Sequence, residues 1–376
     1  MKKITIAVDS FKGSLSSREV ADAFGQGFAS VADDVIISKV AVADGGEGTV
    51  EAIVSTLGGS YVEVEVADPL MRPIVARYGL VDGDTTAIIE MSAASGLPLL
   101  RSDERNPLFT TTYGTGQLIA DALRRGARRI LLGIGGSATN DAGVGMLRAL
   151  GFRFLDSCGA DVKTDGASLG SICSIDASEV MPLALETEFV VACDVNNPLY
   201  GERGAACVFA RQKGADDAAI ERLDSGLRQF AEVVRAYNGC DLSTLAGAGA
   251  AGGLGGGAMA LLGARMERGI EMVLGAIGFD SLIEGSDLVI TGEGCIDRQT
   301  LMGKAPSGVL SAASRRNIPV IAICGAVEPC DELAASGFAA IYPINEESVP
   351  LEIAMQPDVA AAVVRRTAAK IAQEFL

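Results

Sequence analysis

The sequence contains no histidine and no tryptophan. Without an imidazole, Ser-His-Asp catalysis, His-ligated zinc and imidazole general bases are all excluded. Cationic side chains are scarce too: 31 Lys and Arg stand against 48 Asp and Glu, a formal net charge of −17. Such a field repels nucleic acid and anionic membranes, and no run of Lys and Arg makes a local exception. An anionic substrate must then be met by a few placed cations or by a metal. Long apolar runs are also missing. The run behind Lys2-Lys3 stops at Asp9 after five residues, short of a signal-peptide core. The uncharged stretch Leu242–Ala264 holds eight glycines among 23 residues and has few bulky side chains, unlike a membrane span. A cytoplasmic location is expected. The eight cysteines (158, 173, 193, 207, 240, 295, 324, 330) form no CxxC pair and sit in apolar contexts, the pattern of buried reduced thiols rather than of a disulfide framework.

What is present is a long, apolar, glycine-rich chain. Its 376 residues, 49% hydrophobic and 21% charged, suit two domains with sizeable cores, and 46 glycines spread through short loops imply frequent turns. Ile4–Val8 reads as a strand followed by Asp9-Ser-Phe-Lys-Gly-Ser and a helix with Val20, Ala23, Phe24 and Phe28 on one face. Val35–Val42 repeats the pattern, closed by Ala43-Asp-Gly-Gly-Glu-Gly. From Tyr61 the rhythm changes to strands separated by short turns, Tyr61–Ala67, Ile74–Val81 and Thr86–Met91, which predicts antiparallel pairing. Asp287–Thr291, Val320–Cys324 and Ala339–Pro343 are strands alternating again with helices, the last spanning about Pro357–Phe375. Because βαβ units seek a common sheet, the predicted architecture is α/β with two domains. One is a discontinuous Rossmann- or flavodoxin-like parallel-sheet domain, residues 1–67 and 245–376; the other is an inserted mixed α/β domain, residues 68–244, with the site in the cleft between them.

The stretch Gly133–Gly145, GIGGSATNDAGVG, follows the apolar run Ile130-Leu131-Leu132 and precedes apolar residues at helical spacing. Strand, glycine loop and helix offer free backbone N–H groups to an anion, with Ser137, Thr139, Asn140 and Asp141 adding polar side chains. The plainer reading is that Asn140 or Asp141 caps the helix. Gly247–Gly252 matches the dinucleotide fingerprint GxGxxG, but no strand pattern precedes it, which favours a closely packed backbone loop. A Walker A motif is absent. Lys12, Lys213 and Lys304 each occupy a glycine-containing loop, and with the strand-end carboxylates they supply what phosphoryl transfer requires: cations for phosphates, carboxylates for Mg²⁺ and a group to orient a hydroxyl.

Taken together, Asp9-Ser-Phe-Lys-Gly-Ser, Ala43-Asp-Gly-Gly-Glu-Gly, Arg105-Asn-Pro, Thr111-Thr-Tyr-Gly-Thr-Gly, Gly133-Ile-Gly-Gly-Ser-Ala-Thr-Asn-Asp, Cys193-Asp-Val-Asn-Asn-Pro-Leu and Gly292-Glu-Gly closely resemble the bacterial glycerate kinase family, type I. Gln212-Lys-Gly-Ala, Gly247–Gly256 and Gln299-Thr-Leu-Met-Gly-Lys-Ala-Pro continue the resemblance over nearly the whole chain. It implies ATP-dependent phosphorylation of D-glycerate with Mg²⁺, at the 2-hydroxyl. The chain departs from the pattern at Cys295, where Arg is expected, and at Arg211, where Pro is expected; if that arginine touches phosphate in relatives, this chain either loses affinity or supplies the charge from Arg298 or Arg211, and if it is structural little changes.

On this resemblance the expected catalytic residues are Asp9, Lys12, Asp194 and Lys304, with Asp9 or Asp194 orienting the hydroxyl. Ser10, Ser14, Gly45, Gly46, Gly135, Gly136, Ser137, Asn140, Asp141, Asn196, Gln212 and Lys213 are expected on substrate and phosphates, and Asp44, Glu47 and Glu293 on Mg²⁺, with Asp194 as a further carboxylate. The alternatives are phosphorylation at the 3-hydroxyl, a nicotinamide-linked hydroxyacid dehydrogenase using Gly247–Gly252, and a non-catalytic sugar-acid sensor. A homo-oligomer is compatible with the sequence, which carries no signal for it.

Overall fold

The fold is seen in a computed structural model that describes residues 1–32, 34–328, 330–345 and 349–375. The chain divides into two compact units: Met1–Asp44, Glu51–Leu57 and Gly269–Leu376 form unit 1, and Gly45–Val50 with Gly58–Arg268 form unit 2.

In unit 1 the apolar run near the N-terminus becomes β1 (Lys2–Val8), joined by β2 (Val35–Ala41). Unit 2 contributes the next eight strands: β3 (Ser60–Ala67), β4 (Pro73–Val81), β5 (Thr86–Glu90), β6 (Arg129–Gly133), β7 (Arg153–Leu155), β8 (Ser174–Asp176), β9 (Glu188–Ala192) and β10 (Arg265–Glu267). Unit 1 resumes with β11 (Leu288–Ile296), β12 (Val320–Val327) and β13 (Ala340–Pro343).

The unit 1 sheet is parallel throughout, in the order β13-β12-β11-β1-β2. The chain winds one way from β1 to β2 and the other way from β11 to β13, which puts the topological switch between β1 and β11. Open parallel sheets bind ligands beyond the strand ends at such a point. Ile4, Ile6 and Val8 pack with Leu288, Ile290, Ile321 and Ile323 under the helices Ser17–Ala29 and Pro357–Phe375, whose Val20, Phe24, Phe28, Val364 and Ile371 complete the core. The first helix is started by a reciprocal cap: Ser16 Oγ accepts from the Glu19 amide, and Glu19 accepts from the Ser16 amide at 2.8 Å.

Unit 2 holds the six-stranded sheet β10-β9-β6-β5-β4-β3 and the ribbon β7-β8. Its β3, β4 and β5 pair antiparallel, as the short turns predicted, and β5, β6, β9 and β10 are parallel. The architecture is therefore mixed α/β with one parallel and one mixed sheet. Two spans are distributed differently from the sequence reading. Residues 58–67 lie in unit 2 because β3 gives its whole length to β4, and residues 245–268 lie there because β10 pairs with β9 and the glycine-rich segment packs on the loop after β6.

Cysteine burial also differs: all eight thiols are free, but only Cys324 is buried, while Cys158, Cys173 and Cys207 are exposed in turns or on helix surface. Among the described residues no helix is long and apolar enough to cross a membrane.

Candidate active site

The end of β1 is pinned to the switch point. The Asp9 amide donates to the Gly292 carbonyl at 2.9 Å, continuing the ladder past Val8, and the Ser10 amide closes onto Asp9 Oδ1 at 2.6 Å. Phe11 and Leu15 then pair as a miniature hairpin around Gly13, whose positive φ of 78° lets the loop reverse while Met355 covers it. The strand opposite continues further than its apolar residues suggested. Glu293, Gly294 and Cys295, read from sequence as a loop, are part of β11, because β12 pairs with them as far as Ile296.

A cavity of about 480 Å³ opens at this switch point, and its lining includes Asp9, Ser10, Lys12, Ser14, Glu293 and Lys304. Six residues from three separate sequence motifs are thus brought together. Asp9 is only 5% exposed. Burial, reinforced by the negative charges of Asp44 and Glu293, pushes its carboxyl up to about 7 against the opposing pull of the Ser10 amide and Lys12. Glu293 is raised by burial as well, with Thr300 and Lys304 working against the shift. Thr300 Oγ1 donates to Glu293 Oε1 at 2.6 Å, and Lys304 Nζ lies 3.4 Å from Oε2 and 3.8 Å from Asp297. Lys12 Nζ is 3.8 Å from Asp44 and largely exposed. The cavity therefore holds a carboxyl whose pKa is raised to about 7, in a lining that also carries two lysines. Cys295 shares the lining, its thiol raised by burial. The arginines proposed to replace its missing cation are engaged on the surface, Arg298 with Glu332 and Arg211 with Asp217.

No three His, Cys, Asp or Glu side chains among the described residues are arranged as a metal site. A Mg²⁺ ion carried by phosphates needs only one or two protein carboxylates. The mutually repelling Asp9, Asp44 and Glu293 fit that requirement. Glu47 is an exposed residue of unit 2, where its charge helps to raise Glu90.

In unit 2 the structure brings together two other loops. A Cβ on Gly133 would meet the Gly45 carbonyl at 2.6 Å, and one on Gly135 would meet Gly46 Cα at 3.4 Å. Gly135 and Gly136 are exposed at the tip, beside Ser137. Lys213, expected on phosphate, is instead buried at 2% exposure, donating at 2.7 Å both to Ser137 Oγ and to the Thr139 carbonyl. Its amine is depressed to about 7 by burial, with Asp141 opposing. Lys213 holds the loop rather than facing a ligand.

Asp141 likewise turns inward. It accepts from the Thr112 amide and hydroxyl at 2.7 and 2.8 Å and from the amides of Gly143 and Gly145. This is the plainer capping role; the helix it caps, Val144–Ala149, is six residues long, and the Gly143 and Gly145 amides at its start are already taken by the Asp141 side chain. Asn140 is fully buried with neither side-chain atom hydrogen bonded. Asp194 and Asn196 are exposed after β9, and Gln212 is exposed beside Lys213.

The Gly247–Gly252 segment packs on the same loop. The Ala142 amide donates to the Gly252 carbonyl at 3.0 Å, and a Cβ on Gly252 would sit 2.1 Å from the Thr139 carbonyl. Its glycines serve close backbone approach, not a dinucleotide. Sequence reasoning missed Thr300, which lies inside a recognised block, and Asn345, which follows β13 in the cavity wall; a polar residue just past a parallel strand was the available signal.

Residues 4–376 match the sequence model of the Glycerate kinase family. A protein of Bacillus cereus described as glycerate kinase is 46% identical over 371 residues, covering 98% of this chain and 97% of that relative. A glycerate 2-kinase of Escherichia coli K12 is 46% identical over 325 residues, 86% of this chain and 85% of its own length. A crystal structure assigned as glycerate kinase 2 from Salmonella typhimurium LT2 superposes with a TM-score of 0.91 at 46% identity, covering 99% and 98% of the two chains.

Proposed function

Since the chain belongs to the glycerate kinase family, a family of phosphotransferases acting on an alcohol group, we propose that it transfers the γ-phosphoryl group of ATP to the 2-hydroxyl of D-glycerate in the cytoplasm, with the charged residues of the unit 1 cavity at the place of transfer. The observation that carries this reading is Asp9, a buried carboxyl with its pKa raised to about 7, at the switch point of a parallel sheet.

Phosphoryl transfer has a loose transition state, so positioning and charge neutralisation do most of the work and no imidazole is needed. Ionised Asp9 orients the substrate hydroxyl and accepts its proton as the new P–O bond forms. Lys12 and Lys304 balance charge on the transferred group and on the departing β-phosphate oxygen. Thr300 keeps Glu293 in place beside Lys304. Asp44 and Glu293 are the carboxylates that would hold Mg²⁺, which supplies charge neutralisation along the phosphates. Ser10 and Ser14 contribute hydroxyl groups from the same lining. In unit 2 the proposed ligand-binding groups are the exposed Gly135 and Gly136, with Ser137 fixed by Lys213, and the exposed Asp194, Asn196 and Gln212.

Incubation with ATP, Mg²⁺ and D-glycerate, followed by proton-coupled ³¹P NMR, tests the reaction. A phosphorus signal split by a single CH proton identifies 2-phosphoglycerate. Splitting by a CH₂ group identifies the 3-phosphate and reverses the substrate pose, and absence of any phosphorylated acid refutes the kinase reading.

A further inference from the structure

The lining of the unit 1 cavity combines two chemical kinds of group. Beside the charged residues stand Phe11, Ala326, Ile344, Ala354 and Met355. Glycerate, with a carboxylate and two hydroxyls on three carbons, has no apolar surface to set against such a wall, and neither has a triphosphate. A planar heteroaromatic base does, since its faces pack against aliphatic and aromatic groups while its edge keeps donors and acceptors.

One polar side chain belongs to this part of the lining. Asn345 follows Ile344 past β13, and its Nδ2 donates at 3.0 Å to the carbonyl of Gly325, the neighbour of Ala326. Only the amide nitrogen can donate to a carbonyl, so this bond settles which way the side-chain amide is turned. Oδ1 is left as an acceptor, with no protein donor among the described residues. The approach is close: a Cβ at residue 325 would meet Gly294 O at 2.6 Å and Asn345 Nδ2 at 3.6 Å, which accounts for glycine there.

We infer that the apolar part of this lining seats the purine of the nucleotide co-substrate and that Asn345 Oδ1 accepts from a 6-amino group, selecting adenine over guanine; this rests on the kinase reading above. Guanine places a carbonyl oxygen at the same position, opposing one acceptor to another. Turning the Asn345 amide over would not relieve the conflict, because Oδ1 would then face the Gly325 carbonyl and the bond to it would be lost. Phe11 and Met355 ride on the segments that close around Gly13, so the loop carrying Lys12 also shapes the base seat.

Calorimetric titration of the full chain with ADP and with GDP, without glycerate, reads this inference separately from turnover. The wild type binds ADP at least about tenfold tighter than GDP, and Asn345→Ala narrows the ratio to about threefold or less. Ala326 is exposed on β12, so Ala326→Phe fills the seat without disturbing the core. That variant weakens ADP binding and raises the KM for ATP by about tenfold or more, and circular dichroism checks its fold. Equal wild-type affinity for ADP and GDP, or unchanged ADP binding by a folded Ala326→Phe protein, overturns the inference. If ADP is preferred as expected but no phosphoryl group reaches D-glycerate, the kinase reading fails and the base seat stands. If transfer proceeds and both variants are neutral, the base seat alone fails.

Discussion

Lys304 Nζ stands 3.4 Å from Glu293 Oε2 while Thr300 Oγ1 donates to Oε1 at 2.6 Å, so one carboxylate is held from both sides at the mouth of a parallel sheet. The pairing keeps a lysine aimed along the cavity wall without neutralising it completely, since Lys304 remains about one-third exposed. A cation so placed gains most when negative charge develops on a phosphoryl group.

Lys304→Ala therefore lowers kcat/KM for D-glycerate phosphorylation by about 10²–10³-fold with the fold intact by circular dichroism. A folded variant with kcat/KM within about twofold of wild type would remove Lys304 from the transfer step.

Asp9 leaves a signature in stability as well as in rate. Its folded pKa of about 7 exceeds the ordinary value of 3.8, so between these values the folded state holds a proton that the unfolded chain has lost. Stability from this group is present below pH 3.8 and falls as pH rises through 7. Asp9→Asn is consequently more stable than wild type at pH 8, by about 2–4 kcal/mol, and nearly equal to it at pH 4. Urea unfolding at the two pH values measures the difference; an equal gap at both would contradict the assigned shift.

Lys213 supplies a structural test. Replacing it by Met preserves bulk but leaves the Ser137 hydroxyl and the Thr139 carbonyl without their buried donor. Lys213→Met is expected to lose about 2–5 kcal/mol of unfolding free energy and to lower activity through the displaced loop. Wild-type stability with reduced activity would instead put the amine on substrate.

Gly252 distinguishes packing from cofactor binding. It has a φ of 70° and lies against the Thr139 carbonyl, so a methyl group meets both backbone strain and a 2.1 Å contact. Gly252→Ala is expected to depress Tm by at least about 5 °C and to leave nicotinamide cofactors unbound, as in wild type. An unchanged Tm would refute the packing role.

Much of this organisation was legible because it rests on local pattern. The apolar run Ile4–Val8 read as a strand, and the short turns after Tyr61 predicted the antiparallel pairs of β3, β4 and β5. Asp9, Lys12 and Glu293 were readable as polar residues following apolar strand runs, and Lys304 as a lysine in a glycine-containing loop; the cavity unites them. Burial was not readable in the same way. Lys213 and Asp141 look like ligand groups in a one-dimensional pattern, and only the folded loop shows that each satisfies protein groups. The length of β11 was hidden because Gly292-Glu-Gly reads as a turn, whereas the paired backbone of β12 draws it into the sheet. Asn345 lay outside every motif because its meaning comes from Gly325, twenty residues earlier.

The most direct test of the account is the pH dependence of kcat/KM for ATP-dependent phosphorylation of D-glycerate by wild type and Asp9→Asn. The account predicts a wild-type rate that rises with pH through an apparent pKa of about 7, as Asp9 ionises and becomes able to accept the hydroxyl proton. Asp9→Asn should be slower by about 10²–10⁴-fold and should lack that limb. A folded Asp9→Asn enzyme that keeps wild-type turnover, or the same acid limb in both proteins, would place the proton acceptor elsewhere and contradict the proposed role of the switch-point carboxyl.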